Sequence, residues 1–239
     1  MTNPIPKLDV QQCLKATVLG SLSDEALERI CQVARIEYFE IPTLLSSAGE
    51  HPKYLRLVIQ GHIETIARSV SGEEFVFSYI TPGGWATWLS CFMEHAPDHD
   101  FYSSDAACFI ALPISAINKM CERYPHIYPL LIQEIGRRMR LLMEWTGQSV
   151  LVNPVQRMAK LLHLLSREQK SSANCMTLHI TQARLASLAR CSRQTANKLL
   201  SVLEQEQLII AGYGQFEIPD LSRLAAFSED ADLSPSALD

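Results

Sequence analysis

The sequence has no uninterrupted apolar run of about 18 residues, the length a helix needs to cross a bilayer. Its opening, Met1-Thr2-Asn3-Pro4-Ile5-Pro6, has neither the basic nor the apolar segment of a secretory signal. A cytoplasmic protein without a membrane partner is therefore expected. The seven cysteines (13, 31, 91, 108, 121, 175 and 191) are odd in number and include no Cys-x-x-Cys pair. That spacing suits reduced, buried thiols rather than a disulfide framework or a zinc ribbon. Catalytic signatures are missing as well: there is no nucleophile elbow, phosphate loop or His-Glu-x-x-His. A jelly-roll enzyme of cupin type would need several His and a Glu from adjacent strands, whereas His62 and Glu64 are the only such pair inside a predicted strand. No enzyme is expected.

An excess of base is also lacking, since the formal net charge is −5, but the charge is unevenly spread. Residues 1–150 carry −5, residues 151–227 carry +4, and residues 228–239 carry −4. Within 181–203 stand Arg184, Arg190, Arg193 and Lys198 with no acid, a footprint compatible with phosphate contact.

What is present is an apolar fraction of 47% in a chain of 239 residues, ample for a core. Ser23 caps an expected helix in which Leu27, Ile30, Cys31 and Ala34 recur at helical spacing. From about Arg35 to Pro113 short β-branched and aromatic runs (37–41, 55–59, 62–67, 75–80 and 108–112) alternate with Gly49, Gly61, Gly72 and Pro82-Gly83-Gly84. This texture predicts an antiparallel jelly roll or barrel. A long helix follows over about 129–150, with Ile132, Ile135, Met139, Leu142 and Thr146 at alternating steps of three and four, the spacing of a coiled-coil seam. Asn153-Pro154 marks its end and a domain boundary. The expected organisation is a β-roll sensor domain (1–128), a dimerisation helix and hinge (129–152), a DNA-binding domain (153–227) and a disordered tail (228–239).

Residues 181–205 fit two short helices joined by a tight turn. Thr181 and Ser192 are placed to cap them. Leu185 and Leu188 form the inner face of the first; Ala196, Leu199, Leu200 and Leu203 form that of the second. Arg193, Gln194, Asn197, Lys198 and Ser201 are left outward, a set suited to base edges and phosphates. A hairpin through Gly212-Tyr213-Gly214 supplies a wing.

The stretch from Thr181 to Ile218, with Cys191-Ser192-Arg193-Gln194-Thr195-Ala196-Asn197-Lys198 at its centre, resembles the winged helix-turn-helix of the Crp/Fnr family of transcription regulators. The order of β-roll, long helix and DNA domain is similar over roughly residues 10–227. The resemblance implies an α+β fold with a cyclic-nucleotide-binding-like roll, and a homodimer that reads a two-fold symmetric site in double-stranded DNA and contacts RNA polymerase. It places Thr181, Gln182, Ser192, Arg193, Gln194, Thr195, Asn197 and Lys198 at the DNA. The family often has glutamate where Gln194 stands, which implies a shifted base preference, and often glycine where Arg190 stands, which implies a strained turn.

In members that bind a cyclic nucleotide, a Gly-Glu pair holds the ribose and an Arg-Ser pair the phosphate. Here Thr87-Trp88 and Asp98-His99 occupy those places, and Leu142 and Met143 replace polar residues that touch the base. Asp98 and Asp100 would repel an anionic phosphodiester, so cyclic AMP is not expected to bind tightly. Haem is not supported because the corresponding ligands fall near Thr87 and Leu89, nor is an iron-sulfur cluster, because Cys13 stands alone before Cys31. Residues 94–100 include metal-capable side chains but read as a solvated loop. The remaining candidate pocket (Trp85, Thr87, Trp88, Asp98, His99, Leu142 and Met143) is either packed shut or open to an unknown, weakly polar small-molecule effector. Constitutive DNA binding, or control through a thiol such as Cys91 or Cys108, is the alternative.

Overall fold

A computed structural model describes residues 8–69, 74–148, 153–168 and 174–229. Contacts divide the chain into two compact units, Met1–Ile66 with Tyr79–Arg138, and Ala67–Ser78 with Met139–Asp239.

The first unit opens with helices α1 (Val10–Lys15) and α2 (Asp24–Val33). As the sequence indicates, the Ser23 hydroxyl accepts from the Ala26 N–H and buries Ala26, Leu27 and Ile30 on one side of α2. Among the described residues eight strands follow, of which the end of β4 and most of β5 fall in the second unit: β1 (Arg35–Phe39), β2 (Leu44–Ser46), β3 (Tyr54–Gln60), β4 (Ile63–Arg68), β5 (Glu74–Ile80), β6 (Trp85–Ala86), β7 (Asp100–Ser103) and β8 (Ala107–Pro113). They pair as two four-stranded sheets, β1-β8-β3-β6 and β2-β7-β4-β5, with antiparallel ladders. Val58, Ile63, Ile80, Ala86, Phe101, Ala107 and Phe109 fill the interior of the roll. The alternate residues Leu55, Leu57, Ile110 and Leu112 face a second cluster built with α1, α2, α3 (Ile114–Arg123) and Leu131 of the long helix.

Two turns explain the punctuation. Pro82-Gly83 forms the centre of a turn closed by Gly84 N–H to the Thr81 carbonyl at 2.9 Å; Gly83, at φ +83°, takes the position that demands a left-handed residue. Gly61, at φ +74°, lies so close to Ser104 and Ala107 that a Cβ would meet the Ser104 hydroxyl at 2.5 Å.

Helix α4 (Tyr128–Gln148) corresponds to the long helix of the sequence reading; residues 149–152 lie outside the described segments. Asn153 and Pro154 begin α5 (Pro154–Glu168) with a reciprocal cap: the Gln156 N–H donates to Asn153 Oδ1 at 2.9 Å and the Asn153 N–H to Gln156 Oε1 at 3.4 Å. The division into units comes earlier, between Arg138 and Met139. The second unit continues with β9 (Met176–Leu178), α6 (Gln182–Leu188), α7 (Arg193–Gln205), β10 (Ile210–Gly212), β11 (Gln215–Ile218) and α8 (Leu221–Glu229).

Two residues expected in the tail, Ser228 and Glu229, belong to α8 instead. Ser228 is fully buried, and the Glu229 carboxylate bonds Lys160 at 2.9 Å, so both residues end α8. Residues 230–239 lie outside the described segments. Among the described residues, no helix is long and apolar enough to cross a membrane.

Candidate nucleic-acid interface

Helix α6 is capped by Thr181, whose hydroxyl accepts from the Arg184 N–H at 3.2 Å. It ends in a pair of bonds that satisfy its last carbonyls: Cys191 N–H to Ala186 O at 3.1 Å and Arg190 N–H to Ser187 O at 3.0 Å. That motif needs a left-handed residue at its hinge, and Arg190 supplies it at φ 54°. The strain expected for a non-glycine there is offset in part by the Phe75 ring, 5.2 Å from the guanidinium carbon, and the Val76 N–H donates to the Ser187 hydroxyl at 3.3 Å. The 67–78 segment is thus bonded to the helix-turn-helix within the second unit.

The turn delivers Ser192 to the N-cap of α7, where its hydroxyl accepts from the Thr195 N–H at 3.1 Å and bonds the Thr195 hydroxyl at 2.9 Å. Ala196, Leu199, Leu200 and Leu203 are buried, as are Leu185, Ala186 and Leu188 of α6. Ser192, Arg193, Gln194, Thr195, Asn197, Lys198 and Ser201 are all exposed, Thr181 is exposed and Gln182 is half-buried. Five polar or charged positions, 192–195 and 197, therefore crowd the positively polarised start of α7, where backbone N–H groups favour an anion.

The wing is the three-stranded sheet β10-β11-β9. Its root is tied to α7 by the Ala211 N–H, which donates to Glu204 Oε1 at 3.0 Å. Arg223 of α8 donates to the Glu206 carbonyl at the end of α7, at 2.8 Å. Tyr213 stands fully exposed at the wing tip between Gly212 and Gly214. Neither Glu204 nor Arg223 was singled out by sequence reasoning, because a side chain that braces a backbone group has no periodic signature.

The proposed pocket residues are distributed over both units. In the first, Trp85 and Trp88 are 1% and 3% exposed, with ring centroids 5.3 Å apart, and both pack in the cluster beneath α1–α3. Ala86 is the neighbour that faces the interior of the roll. Thr87 is buried at φ 70°, unusual for a β-branched residue, and its hydroxyl donates to the Tyr54 carbonyl at 2.7 Å. Asp98 is exposed. His99 is half-buried against Phe101, and burial, the largest influence, lowers its pKa although Asp98 and Asp100 act to raise it. In the second unit, Leu142 and Met143 are exposed.

Asp100, expected in a loop, opens β7, and its carboxylate accepts from the Ala48 N–H at 2.7 Å. No group of three metal-capable side chains occurs among the described residues. All seven cysteines are free thiols. Burial pushes the Cys91 thiol up to about 12, helped by Cys121, and burial also raises Cys108.

Residues 156–227 match the Crp-like helix-turn-helix domain family. The chain is 24% identical over 198 residues to the cAMP-activated global transcriptional regulator CRP of Salmonella typhimurium, covering 81% of this chain and 94% of that one. Residues 156–227 thus carry a Crp-like helix-turn-helix, and the chain as a whole is similar to transcription regulators of the Crp/Fnr type. A further relative, the cAMP-activated regulator CRP of Haemophilus influenzae, is 21% identical over 214 residues, covering 88% of this chain and 95% of its own. A similar fold is seen in FixK2 from Bradyrhizobium japonicum, at a TM-score of 0.72 and 14% identity over 83% of this chain and 99% of that one. The c-di-GMP responsive regulator CLP of Xanthomonas campestris gives a TM-score of 0.60 at 20% identity, covering 82% and 99%. The helix-turn-helix of the family is the DNA-binding element, and α6 and α7 are its two helices.

Proposed function

We propose that this regulator works as a homodimer on a two-fold symmetric DNA site, with Arg193, Gln194, Asn197 and Lys198 reading bases and phosphates, and that its effector is not cyclic AMP. The carrying observation is α7: capped by Ser192, anchored by four buried apolar residues, and exposed along its entire polar face. Arginine suits guanine, the amides suit adenine, and Lys198 suits a phosphate or guanine. RNA polymerase is the expected partner at the promoter, and a role in regulation rather than catalysis is the corresponding class.

The dimer reading is supported by α4, where Ile132, Met139 and Leu142 are 67%, 56% and 59% exposed, Thr146 is exposed and Ile135 half-buried. An apolar stripe at heptad spacing left open in one chain suits a second copy. The residues present do not fit a cyclic nucleotide. Trp88, at the place of the family's ribose-binding glutamate, is committed to a packed cluster, and Asp98, at the place of the phosphate-binding arginine, is an exposed carboxylate of the wrong sign. A different, weakly polar effector or constitutive binding is the corresponding reading. Control by Cys91 or Cys108 is disfavoured by the raised thiol pKa values, since the thiolate is the reactive form.

Selection of bound sequences from random DNA, with and without cell extract, tests this reading. A palindromic consensus is expected with the intact protein; Arg193→Ala should lose it, while Lys198→Ala should mainly reduce affinity and its salt dependence. Retained selectivity in Arg193→Ala would refute the assignment of α7. Calorimetric titration with cyclic AMP is expected to give no heat of micromolar binding; such binding would overturn the effector reading.

A further inference from the structure

Lys160 lies within α5, yet its side chain is only 1% exposed. Its ammonium sits 2.7 Å from Glu144 Oε1 on α4 and 2.9 Å from Glu229 Oε1 on α8. Glu144 is in turn held through its other oxygen by Arg167 of α5 at 3.2 Å. Three helices of the second unit thus meet at one buried charge. Removing an ammonium from water is costly and is compensated only by well-placed carboxylates; an apolar side chain of similar volume would often serve stability as well or better. What the ion cluster adds is geometry, because an apolar contact tolerates sliding whereas a buried ammonium requires its carboxylates within hydrogen-bond distance. Helix α5 packs against both α7 and α8, so the angle between α4 and α5 is also an angle between the long helix and the recognition helix.

We propose that Lys160, with Glu144 and Glu229, is a positioning residue for DNA reading: the cluster fixes the recognition helix relative to the long helix, so that two copies meet two half-sites at the correct spacing. The cluster touches no base or phosphate. It deepens the dimeric reading above and rests on it. The pKa directions agree with a stable charged pair, with Lys160 raised by Glu144 and Glu229 against the opposing effect of burial, and Glu144 lowered by Lys160 and Arg167 against the same opposition.

The test uses the full chain and compares binding to a selected two-fold site with binding to one isolated half-site, for wild type, Glu144→Gln, Lys160→Met and the double variant. Methionine fills the volume of Lys160 without its charge, which keeps the fold. Lys160→Met and the double variant are each expected to weaken binding to the full site about tenfold while leaving half-site binding and Tm nearly unchanged; Glu144→Gln alone, which leaves the buried ammonium with Glu229 only, is expected to weaken full-site binding and also to lower Tm, a fall that the double variant reverses. Glu229→Gln should give a smaller loss in the same direction. Unchanged full-site binding in Lys160→Met would overturn the proposal; so would equal weakening on both sites or a matching fall in Tm in that variant, which would mark the cluster as part of folding the reading domain. If wild type binds the full site no better than the half-site, the dimeric reading fails, and this is visible before any variant is made.

Discussion

Gln194 stands on the first turn of α7 with its amide exposed beside Arg193 and Asn197. An amide both donates and accepts, which matches the N7 and N6 edge of adenine, whereas a carboxylate only accepts, which matches the amino group of cytosine. Gln194→Glu is therefore expected to move the preferred base at one position of each half-site from adenine toward cytosine, with a discrimination of about 1–3 kcal/mol. An unchanged consensus after sequence selection would remove Gln194 from direct readout. The residues around it were legible in the sequence because their physics is local: a Ser or Thr hydroxyl bonding an N–H three residues on, a non-glycine at the end of a helix. Lys160 was not legible. A lysine inside an amphipathic helix reads as solvated, and only the approach of Glu144 and Glu229, from elsewhere in the chain, makes its burial tolerable.

Helix α4 shows what periodicity conveys and where it stops. The stripe Ile132, Met139, Leu142 was visible as spacing, but spacing alone does not say whether an apolar face meets its own domain or a partner; the exposure of these side chains supports the proposed second copy. Met139→Glu, which places a charge at the centre of the stripe, is expected to shift sedimentation toward the monomer and weaken DNA binding together, since each half-site alone is a poorer target. A dimer unaffected by this change would exclude α4 as the seam. Strand limits were less legible than helix faces. The run expected at 37–41 forms as Arg35–Phe39, because Phe39 pairs with Ala107 and packs 5.7 Å from Phe109, leaving Ile41 beyond the strand and exposed. Strand β7 escaped detection because its short run, Asp100–Ser103, follows the polar segment 94–99, and because Asp100 owes its burial to the Ala48 N–H across the sheet.

At the scale of the whole molecule, each compact unit holds an imidazole whose burial disfavours its charged form. His99 in the first is lowered by burial, against the pull of Asp98 and Asp100. His163 in the second is lowered first by burial and further by Lys160 and Arg167, against Glu144 and Glu229, and its Nδ1 is buried without a hydrogen-bond partner. Below their ordinary value of 6.5 the unfolded chain binds protons that the folded chain refuses, so stability falls as pH drops. Above that value both forms are neutral and the histidines contribute no slope. Glu144, lowered in the folded state, and Asp24 and Asp220, lowered by the Lys15 hydrogen bond and the Arg223 N–H, act later: their contribution is present at neutral pH and is lost as pH falls below the ordinary carboxylate values of 4.5 and 3.8. Urea midpoints measured against pH should therefore be level just above neutrality, decline gently once pH passes below 6.5, and decline more steeply in the carboxylate range. His163→Leu removes one imidazole and the unpaired ring nitrogen at once. It is expected to flatten the gentle decline without lowering stability at neutral pH, because the buried Nδ1 gives up no hydrogen bond. An undiminished slope between pH 6.5 and the carboxylate range in that variant would show that the imidazole is protonated in the folded protein and that its burial does not set its charge.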